Sequence, residues 1–214
     1  MSGSVKPRPY RSPAREEQAR RTRQAILSAA RELFGEQGYP ATTIAQIAAA
    51  AGVAVDTVYA SVGTKPVLMR LLFETAISGT DQAVPAEQRG YVQQIRAATT
   101  AEEKIGLYAA AVTEVNARLA PLHLVLRGAA ATAPELATIR DEISERRAAN
   151  MRLFAQDLAA TGQLRPGLDT DEVADVVWSM NSAEYFTLLV RERGWAPDRF
   201  AAWLADAWCR LFLA

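Results

Sequence analysis

The segment from Thr43 to Lys65 carries side chains that suit the binding of a phosphate backbone. Hydroxyl, phenol and ammonium groups donate hydrogen bonds to phosphate oxygens without reading the base sequence. Side chains of these types stand at Thr43, Thr57, Tyr59 and Lys65. The segment is therefore a candidate nucleic-acid contact. The alternatives are a helix cap at Thr43, simple packing of Tyr59 and a solvated Lys65.

Side chains with the chemistry of base recognition lie between these phosphate donors. Valine can contact a thymine methyl, aspartate can accept from cytosine N4, and serine can bond either way. The predicted base contacts are Val55, Asp56, Ala60 and Ser61. Residues 53–61 contain no Arg, Asn or Gln. Strong bidentate recognition of guanine or adenine is therefore not expected.

Two short helices around a tight turn are predicted to position these side chains. Thr43 and Gln46 have the spacing of a capping box, in which each side chain bonds the backbone N–H of the other. Gly52 supplies a residue that adopts positive φ without steric cost. Residues 53–61 then form a helix short enough to lie in a DNA major groove. This is the pattern of a helix-turn-helix.

The charge distribution supports a DNA contact near the N-terminus. The chain has 24 basic and 24 acidic residues, yet residues 1–73 hold 10 basic against 5 acidic ones. Lys65 is the only basic residue between Gly38 and Met69. We therefore expect affinity to come largely from arginines that precede the two helices, with residues 1–12 as a disordered basic arm in or along the minor groove. These arginines are Arg8, Arg11, Arg15, Arg20, Arg21 and Arg23.

The rest of the chain is predicted to be helical throughout, which makes the fold all-α. No segment shows the alternation typical of a strand. The expected domains are the arm at 1–12, a helix-turn-helix domain at 13–65 and a helical effector-binding and dimerisation domain at 66–214. Helices are predicted at about 13–37, 64–78, 91–98, 101–119, 121–131, 135–161, 169–192 and 197–213, in addition to the central pair.

The last two predicted helices have more apolar surface than one core can cover. Between Val173 and Val190 the only charges are Asp175 and Glu184. A helix that is apolar all round must be buried on more than one side. A second copy of the same helices around a two-fold axis would cover the excess, which predicts a homodimer. The alternative is a central core helix within a monomer.

Several other classes of protein are disfavoured by composition. A single cysteine, Cys209, excludes an intramolecular disulfide. The chain has no apolar run long enough for a membrane span and no secretory signal, so a cytoplasmic location is expected. It has no Gly-rich phosphate loop, no nucleophile elbow and no metal-ligand spacing, and His123 is its only histidine. We therefore expect no enzyme activity, no cofactor and no metal.

Residues 20–70 resemble the DNA-binding domain of the TetR family of bacterial transcriptional regulators. The matching residues are Arg23, Ile26, Leu27, Ala29, Ala30, Leu33, Phe34, Gly38, Tyr39, Ala41, Thr42, Thr43, Ile44, Ile47, Ala48, Ala51, Gly52, Val53, Tyr59, Lys65 and Leu68. The resemblance implies an all-α homodimeric repressor of a palindromic operator. It also implies that Tyr59 and Lys65 hold phosphates, with Arg23 in the DNA-binding set. A small effector in the helical domain at 66–214, called the body below, would move the helix predicted at 64–78. That movement would separate the two helix-turn-helix domains of the dimer.

Two residues depart from the family pattern. Ala54 stands where a hydroxyl cap is common, and the loss of that cap costs about 1 kcal/mol of helix stability. Asp56 near the same helix N-terminus partly compensates through the helix dipole. Val62 replaces a commoner aromatic residue. These changes affect operator affinity and preference rather than the fold.

The effector site is predicted among the body helices, from polar side chains within apolar stretches. A largely apolar cavity with a few convergent polar groups suits a small hydrophobic or aromatic effector. Ordinary core packing is the alternative for each residue taken singly. A regulator without any small ligand, or an activator, is the alternative for the whole chain. The candidates are Tyr108, His123, Arg127, Met151, Phe154, Trp178, Asn181 and Tyr185.

Overall fold

A computed structural model describes residues 13–214, so the predicted arm at 1–12 lies outside the described part. No single helix in the described part is long and apolar enough to cross a membrane, although the bent pair 44–50 and 55–62 passes that test jointly on length and composition. Residues 13–214 form no strand, only one isolated bridge between Leu164 and Leu213. The helices are α1 (Pro13–Ala41), α2 (Ile44–Ala50), α3 (Val55–Val62), α4 (Lys65–Ser78), α5 (Gly90–Ala97), α6 (Ala101–Ala130), α7 (Pro134–Ala159), α8 (Thr170–Met180), α9 (Ala183–Phe186) and α10 (Pro197–Phe212), with a 3-10 turn at Ala86–Gln88 and a π-helical turn at Thr187–Glu192.

The first four helices lie where the sequence predicts them. Gly38 interrupts α1 with a φ of 80°, as expected of the residue that ends its main segment. The hydroxyl of Thr42 donates to the Gly38 carbonyl at 2.8 Å, so this interruption is internally satisfied. At the end of α4, Gly79 takes the left-handed conformation with a φ of 69°.

The sequence also predicts an N-cap at Thr64 and a capping box between Asp169 and Glu172, and the structure differs from both predictions. Thr64 occupies the N-cap position of α4, but its side chain accepts no capping hydrogen bond. Pro66 in the first turn has no N–H, so one of the donors that a cap would satisfy is missing. Asp169 caps α8 by accepting from the Asp171 backbone N–H at 3.1 Å, and the reciprocal bond predicted with Glu172 is not formed.

The predicted break at Pro121 is wrong, because α6 runs without interruption from Ala101 to Ala130. Proline removes the backbone hydrogen bond to the carbonyl of the residue four positions earlier. Both Pro121 and Ala117 lie on the exposed side of α6, where water can satisfy that carbonyl. A proline on a solvated face therefore does not end the helix.

The predicted single helix at 169–192 is also wrong. The chain leaves the helical path after Met180 and restarts at Ala183, where the Ser182 hydroxyl accepts from the Tyr185 N–H at 3.1 Å. The carbonyl of Asn181 at this break accepts from the Asn116 side chain at 3.0 Å. The break therefore presents polar groups inside the body.

Two apolar cores hold the helices together. The first joins α1–α4 to the C-terminal part of α6 and the N-terminal part of α7, through Leu122, Leu126 and Leu136. The second joins α5, the remaining parts of α6 and α7, and α8–α10. Because α6 and α7 contribute to both cores, they connect the N-terminal helices rigidly to the rest of the described chain.

Candidate DNA-binding and effector sites

The helix-turn-helix predicted from the sequence is present as α2 and α3. The axes of these helices differ in direction by 100°, within the range of such motifs. Gly52 turns the chain between them with a φ of 68°. Thr43 forms the predicted capping box, since Gln46 N–H donates to its hydroxyl at 3.2 Å and its own N–H donates to Gln46 Oε1 at 2.7 Å. The cap role of Thr43 is therefore real, and a phosphate contact would be additional.

One face of α3 is buried and the opposite face is exposed. Val58 and Val62 pack into the first core. Val55 is 40% exposed and Tyr59 is 49% exposed, one turn apart. Large side chains left in solvent at helical spacing mark a contact surface. Asp56 and Ala60 are also exposed, whereas Thr57 and Ser61 are half-buried, so this surface holds three of the four predicted base contacts and one of the phosphate contacts.

The N-terminus of α3 has no side-chain cap. Ala54 holds the N-cap position with extended backbone, a φ of −71° and a ψ of 151°, and forms no side-chain hydrogen bond. Asp56 is the acidic residue of the first turn, as the compensation through the helix dipole requires. The predicted departure at Ala54 is therefore confirmed as a missing cap.

Lys65 begins α4 beside the C-terminal end of α3. Its ammonium lies 4.1 Å from the centroid of the Tyr39 ring. Partial burial lowers the pKa of Lys65 and raises the pKa of Tyr39 to about 12. The ring quadrupole of Tyr39 attracts the ammonium, so Lys65 is held at the start of α4.

The arginines of α1 have different surroundings. Arg15 is exposed, while Arg20 and Arg21 both pair with Glu17 on the same helix. Arg23 donates from Nη1 to the carbonyl of Ser61 at 3.3 Å and so braces α1 against α3. Exposed pairs on one helix exchange partners easily, so Arg20 and Arg21 can still turn toward a phosphate.

A cavity of about 510 Å³ opens within the body. It lies between α4, the 86–88 turn, α5, α6, α7 and the break between α8 and α9. This volume suits a small organic molecule. The lining residues are Phe73, Ile77, Ala86, Glu87, Arg89, Tyr91, Val92, Ile95, Arg96, Tyr108, Val115, Asn116, Leu119, His123, Ile143, Arg146, Arg147, Asn150, Met151, Leu153, Phe154, Asp157, Asn181 and Ala183.

Five of the eight predicted effector residues line this cavity, namely Tyr108, His123, Met151, Phe154 and Asn181. The other three lie elsewhere. Arg127 is exposed on α6. Trp178 packs beneath a guanidinium, and Tyr185 packs against Phe200 and Trp203 in the second core. A polar residue within an apolar helical stretch can lie in a cavity wall, in a core or on the surface. The sequence pattern alone does not distinguish these three positions.

Sequence reasoning missed most of the polar residues of the wall, among them Asn116 and Arg147. Arg147 stands one helical turn after Ile143 and one before Met151, so it interrupts the inward stripe of α7 with a cation. That interruption is a signal which the sequence does carry. Its Nη2 donates to the carbonyl of Trp178 at 3.1 Å, and its Cζ lies 4.5 Å from the centroid of that indole ring.

A histidine–glutamate pair closes one edge of the cavity. Nε2 of His123 on α6 lies 2.8 Å from Oε1 of Glu184 on α9. The neighbouring imidazole lowers the pKa of Glu184 to about 2. The pair ties the wall of the cavity to the segment that follows the α8–α9 break. Within residues 13–214, no group of three or more His, Cys, Asp or Glu side chains converges as metal ligands would.

Helix α4 is shared by the two candidate sites. It begins at Lys65, next to α3, and its Phe73 and Ile77 line the cavity. Its last turn is fixed by Arg118 of α6, whose Nε donates to the Ala76 carbonyl at 2.8 Å. A ligand that displaces Phe73 or Ile77 would therefore act on the same helix that begins with Lys65, the predicted phosphate contact.

An apolar surface remains on α10 and on the turn that precedes it. Phe200, Leu204 and Trp208 point into the second core. Leu211 on a neighbouring face is 40% exposed, and Leu188 in the π-helical turn is 50% exposed. Helix α8 is the first part of the segment 169–192, which the sequence predicts to be apolar on all sides. Its Val173, Ala174 and Val177 are buried. Leu188 and Leu211 therefore leave apolar surface uncovered near the C-terminus, although Leu124 on α6 and Leu153 on α7 are more exposed, at 56% and 58%.

Residues 26–70 match the family described as bacterial regulatory proteins, tetR family. The chain is 36% identical over 73 residues to the HTH-type transcriptional regulator HbdR of Aromatoleum sp. (strain CIB). That match covers 34% of this chain and 32% of HbdR, so it spans about a third of the curated relative. The family match includes α2 and α3, and both similarities are to regulators of transcription.

Solved structures share the fold of nearly the whole chain. NalD, the secondary repressor of the MexAB-OprM multidrug efflux pump in Pseudomonas aeruginosa, aligns with a TM-score of 0.71 and 23% identity over 92% of this chain and 98% of NalD. SmeT in its triclosan complex aligns with a TM-score of 0.70 and 19% identity over 90% of this chain and 92% of SmeT. The predicted all-α architecture, with an N-terminal helix-turn-helix and a helical C-terminal domain, is thereby confirmed.

Proposed function

We propose that this chain is a homodimeric repressor of the TetR family that a small effector releases from its operator, because residues 26–70 match that family and the fold agrees with it. In this role it binds a palindromic DNA site and blocks transcription until the cavity is filled. The role places the protein with the chromosome, in the cytoplasm. The domains of the proposal are a helix-turn-helix unit at 13–65 and an effector-binding and dimerisation unit at 66–214.

The observation that carries the proposal is the position of α4. Its first residue, Lys65, lies beside α3, and its Phe73 and Ile77 form part of the cavity wall. Binding in the cavity and binding to DNA therefore depend on one rigid element. Effector release needs a ligand that prefers one position of this element over the other, and only that differential affinity shifts the equilibrium.

In the proposed complex, α3 enters the major groove with its exposed face. Tyr59, Lys65, Thr43 and Thr57 contact phosphates, with Arg23 beside them. Their donors fix the register of the domain on the duplex. The bases are read by Val55, Asp56, Ala60 and Ser61. With no cation on α3, sequence preference rests on methyl contacts and single hydrogen bonds.

The proposed dimer forms through the last two predicted helical segments, 169–192 and 197–213. The exposed Leu188 and Leu211 support this, since burial of apolar surface against a partner is favourable. A two-fold interface would place two copies of α3 in successive major grooves about 34 Å apart.

The proposed effector is a hydrophobic or aromatic molecule. Phe73, Tyr108 and Phe154 give the cavity an aromatic wall, and its volume of about 510 Å³ accommodates a molecule of a few fused rings or a medium chain. SmeT, which shares the fold, was solved with triclosan, an observation that belongs to SmeT alone.

The test is selection from a random pool of double-stranded DNA, followed by titration of the winning sequence at several salt concentrations. A palindromic winner with steep salt dependence is expected, because phosphate contacts release counterions. In vitro transcription from a promoter that contains this site should then decrease on addition of the protein. A pool without any enriched sequence would contradict the proposal, as would a bound site that increases transcription.

The dimer is tested separately with Leu211→Glu. A charge at this exposed position should leave the monomer folded and shift the mass measured by analytical ultracentrifugation from dimer to monomer. Ala202→Glu, at an exposed position on the same helix, is the matched control. A dimer that persists in the Leu211 variant would place the interface elsewhere.

A further inference from the structure

The side chain of Arg147 is a cation in the cavity wall without a carboxylate partner. Its described polar contact is the Trp178 carbonyl at 3.1 Å. Its Nε is buried and has no hydrogen-bond partner among residues 13–214. Burial lowers the pKa of Arg147, although a guanidinium remains charged in proteins. A buried donor left unsatisfied is costly, so its retention calls for an explanation.

The acidic side chains near the cavity have partners other than Arg147. Glu184 pairs with His123 at 2.8 Å, and Asp157 pairs with Lys104 at 2.8 Å. Glu74 pairs at 2.6 Å with Arg146, the residue that precedes Arg147 on α7. The wall contains four arginines, Arg89, Arg96, Arg146 and Arg147, against the two acids Glu87 and Asp157. The cavity is therefore electropositive.

A second unsatisfied group lies at the same end of the cavity. Asn181, 3% exposed, follows Trp178 by three residues, and its Oδ1 has no hydrogen-bond partner among residues 13–214. Its Nδ2 lies 2.7 Å from the Tyr108 hydroxyl and 2.9 Å from the sulfur of Met151. Rotation of this amide by half a turn would let the Tyr108 O–H donate to Oδ1 and would turn Nδ2 toward a ligand.

We propose that the ligand of this cavity is a carboxylate with an apolar or aromatic body, and that Arg147 binds its carboxyl group. The planar guanidinium offers paired N–H donors that match the two carboxylate oxygens. The Asn181 amide adds a further donor, while Phe73, Tyr108 and Phe154 surround the body of the molecule. This inference rests on the proposed function, because it names the class of effector for the same cavity.

The first test compares acids with neutral analogues of the same shape on the full-length protein. The probes are 2-naphthoate against 2-naphthamide and octanoate against octanamide, measured by isothermal titration calorimetry. A hydrogen-bonded charge pair in a buried site should favour the acid of at least one pair by about tenfold or more in Kd. Equal affinities within both pairs, tighter binding of the amides, or no binding by any of the four would overturn the proposal.

The second test assigns the preference to Arg147. Arg147→Met should abolish the preference for the acid, and Arg147→Lys should retain part of it because the charge stays while the paired geometry is lost. Arg152→Met, at an exposed position outside the cavity on the same helix, is the matched control and should retain the full preference. Thermal denaturation establishes that each variant is folded. If Arg147→Met does not fold, Arg147→Lys and Asn181→Asp decide, since a new carboxylate at 181 should weaken the acid more than the amide.

These tests separate the inference from the proposed function. A carboxylate that binds through Arg147 but leaves operator affinity unchanged would remove effector release and keep the ligand class. Release of the operator by the neutral amides, with no advantage for the acids, would keep effector release and overturn the carboxylate ligand class. Operator affinity is followed by fluorescence anisotropy of labelled DNA with each of the four probes.

Discussion

The two candidate sites hold positive charge in opposite ways. The exposed face of α3 contains no cation, and the first basic side chain after it is Lys65, held over the Tyr39 ring. The cavity wall contains four arginines in a largely apolar setting. The site expected to meet a polyanion is thus weakly charged, whereas the site expected to meet a small molecule is strongly charged.

This difference suggests that charge has a different role at each site: it provides affinity for DNA at one and selectivity among small ligands at the other. On DNA, the long-range attraction must come from cations around α3, and α3 itself contributes shape and short contacts. In the cavity, apolar side chains provide most of the contact area, and one unpaired guanidinium selects among molecules of similar size. A buried charge is effective there because little water screens it.

Among the changes predicted here, removal of residues 1–12 should have the largest effect on operator affinity. The deletion removes Lys6, Arg8 and Arg11. Operator affinity should fall by about 100-fold at low salt, and the slope of log K against log salt should decrease by about 2 to 3, one for each lost phosphate contact. Fluorescence anisotropy at four salt concentrations measures both. An unchanged slope would show that the arm does not contact DNA and that α1 supplies the charge.

Replacement of Lys65 by Met should have the next largest effect. The loss of one phosphate contact should weaken binding by about tenfold, equally for all sequences, and reduce the salt slope by about 1. Thermal denaturation monitors any loss of packing against Tyr39. The matched control is Arg70→Met, also on α4, whose guanidinium pairs with Glu142 of α7. A change in sequence preference, rather than a uniform loss, would assign Lys65 to the bases.

Ala54→Ser should restore the missing cap of α3. The backbone at this position is already extended, so a serine hydroxyl can accept from the first turn without rearrangement. The free energy of unfolding should rise by up to about 1 kcal/mol, measured by chemical denaturation. Ala49→Ser, exposed within α2, offers no cap and should be neutral or slightly destabilising. Equal effects at the two positions would contradict this interpretation.

Glu184→Gln should have the smallest effect. The pKa of Glu184 in the folded protein is about 2, below the ordinary value of about 4.3, so the ionised carboxylate stabilises the fold at neutral pH. Its contribution is complete above the ordinary pKa and is lost as the pH falls toward 2. Because the side chain is 40% exposed, solvent screening keeps the contribution below about 1 kcal/mol. Wild type and variant should differ in Tm at pH 7 and converge at pH 2; a difference that grows toward low pH would refute this account.

The N-terminal helices were predictable because their signals are local. The capping box at Thr43, the turn at Gly52 and the interruption at Gly38 each depend on residues a few positions apart. The same local reasoning failed at Pro121, where the outcome depends on which face of α6 meets solvent. It also failed at Ser182, whose cap for α9 lay hidden within an apolar stretch.

The cavity was only partly predictable, since its wall is assembled from helices far apart in the sequence. Tyr108 and Met151 were identified by side-chain type, and Arg127 and Trp178 were chosen by the same rule although they lie outside the cavity. The position of Arg147 on the inward face of α7 could have been found from helical spacing. Its lack of a carboxylate partner could not, because that depends on the pairing of acids on α4, α9 and a distant turn of α7 itself.

The bond from Arg118 to the end of α4 turns this helix into a lever. With its last turn fixed by the Ala76 carbonyl, any movement forced at Phe73 pivots about that end and grows toward Lys65. A helix of 14 residues is about 21 Å long, so a tilt of about 10° displaces its first residue by about 4 Å. That exceeds the tolerance of a phosphate hydrogen bond several-fold. In the proposed function, such a tilt would turn a side-chain-sized displacement at the cavity into the loss of the DNA contact of Lys65.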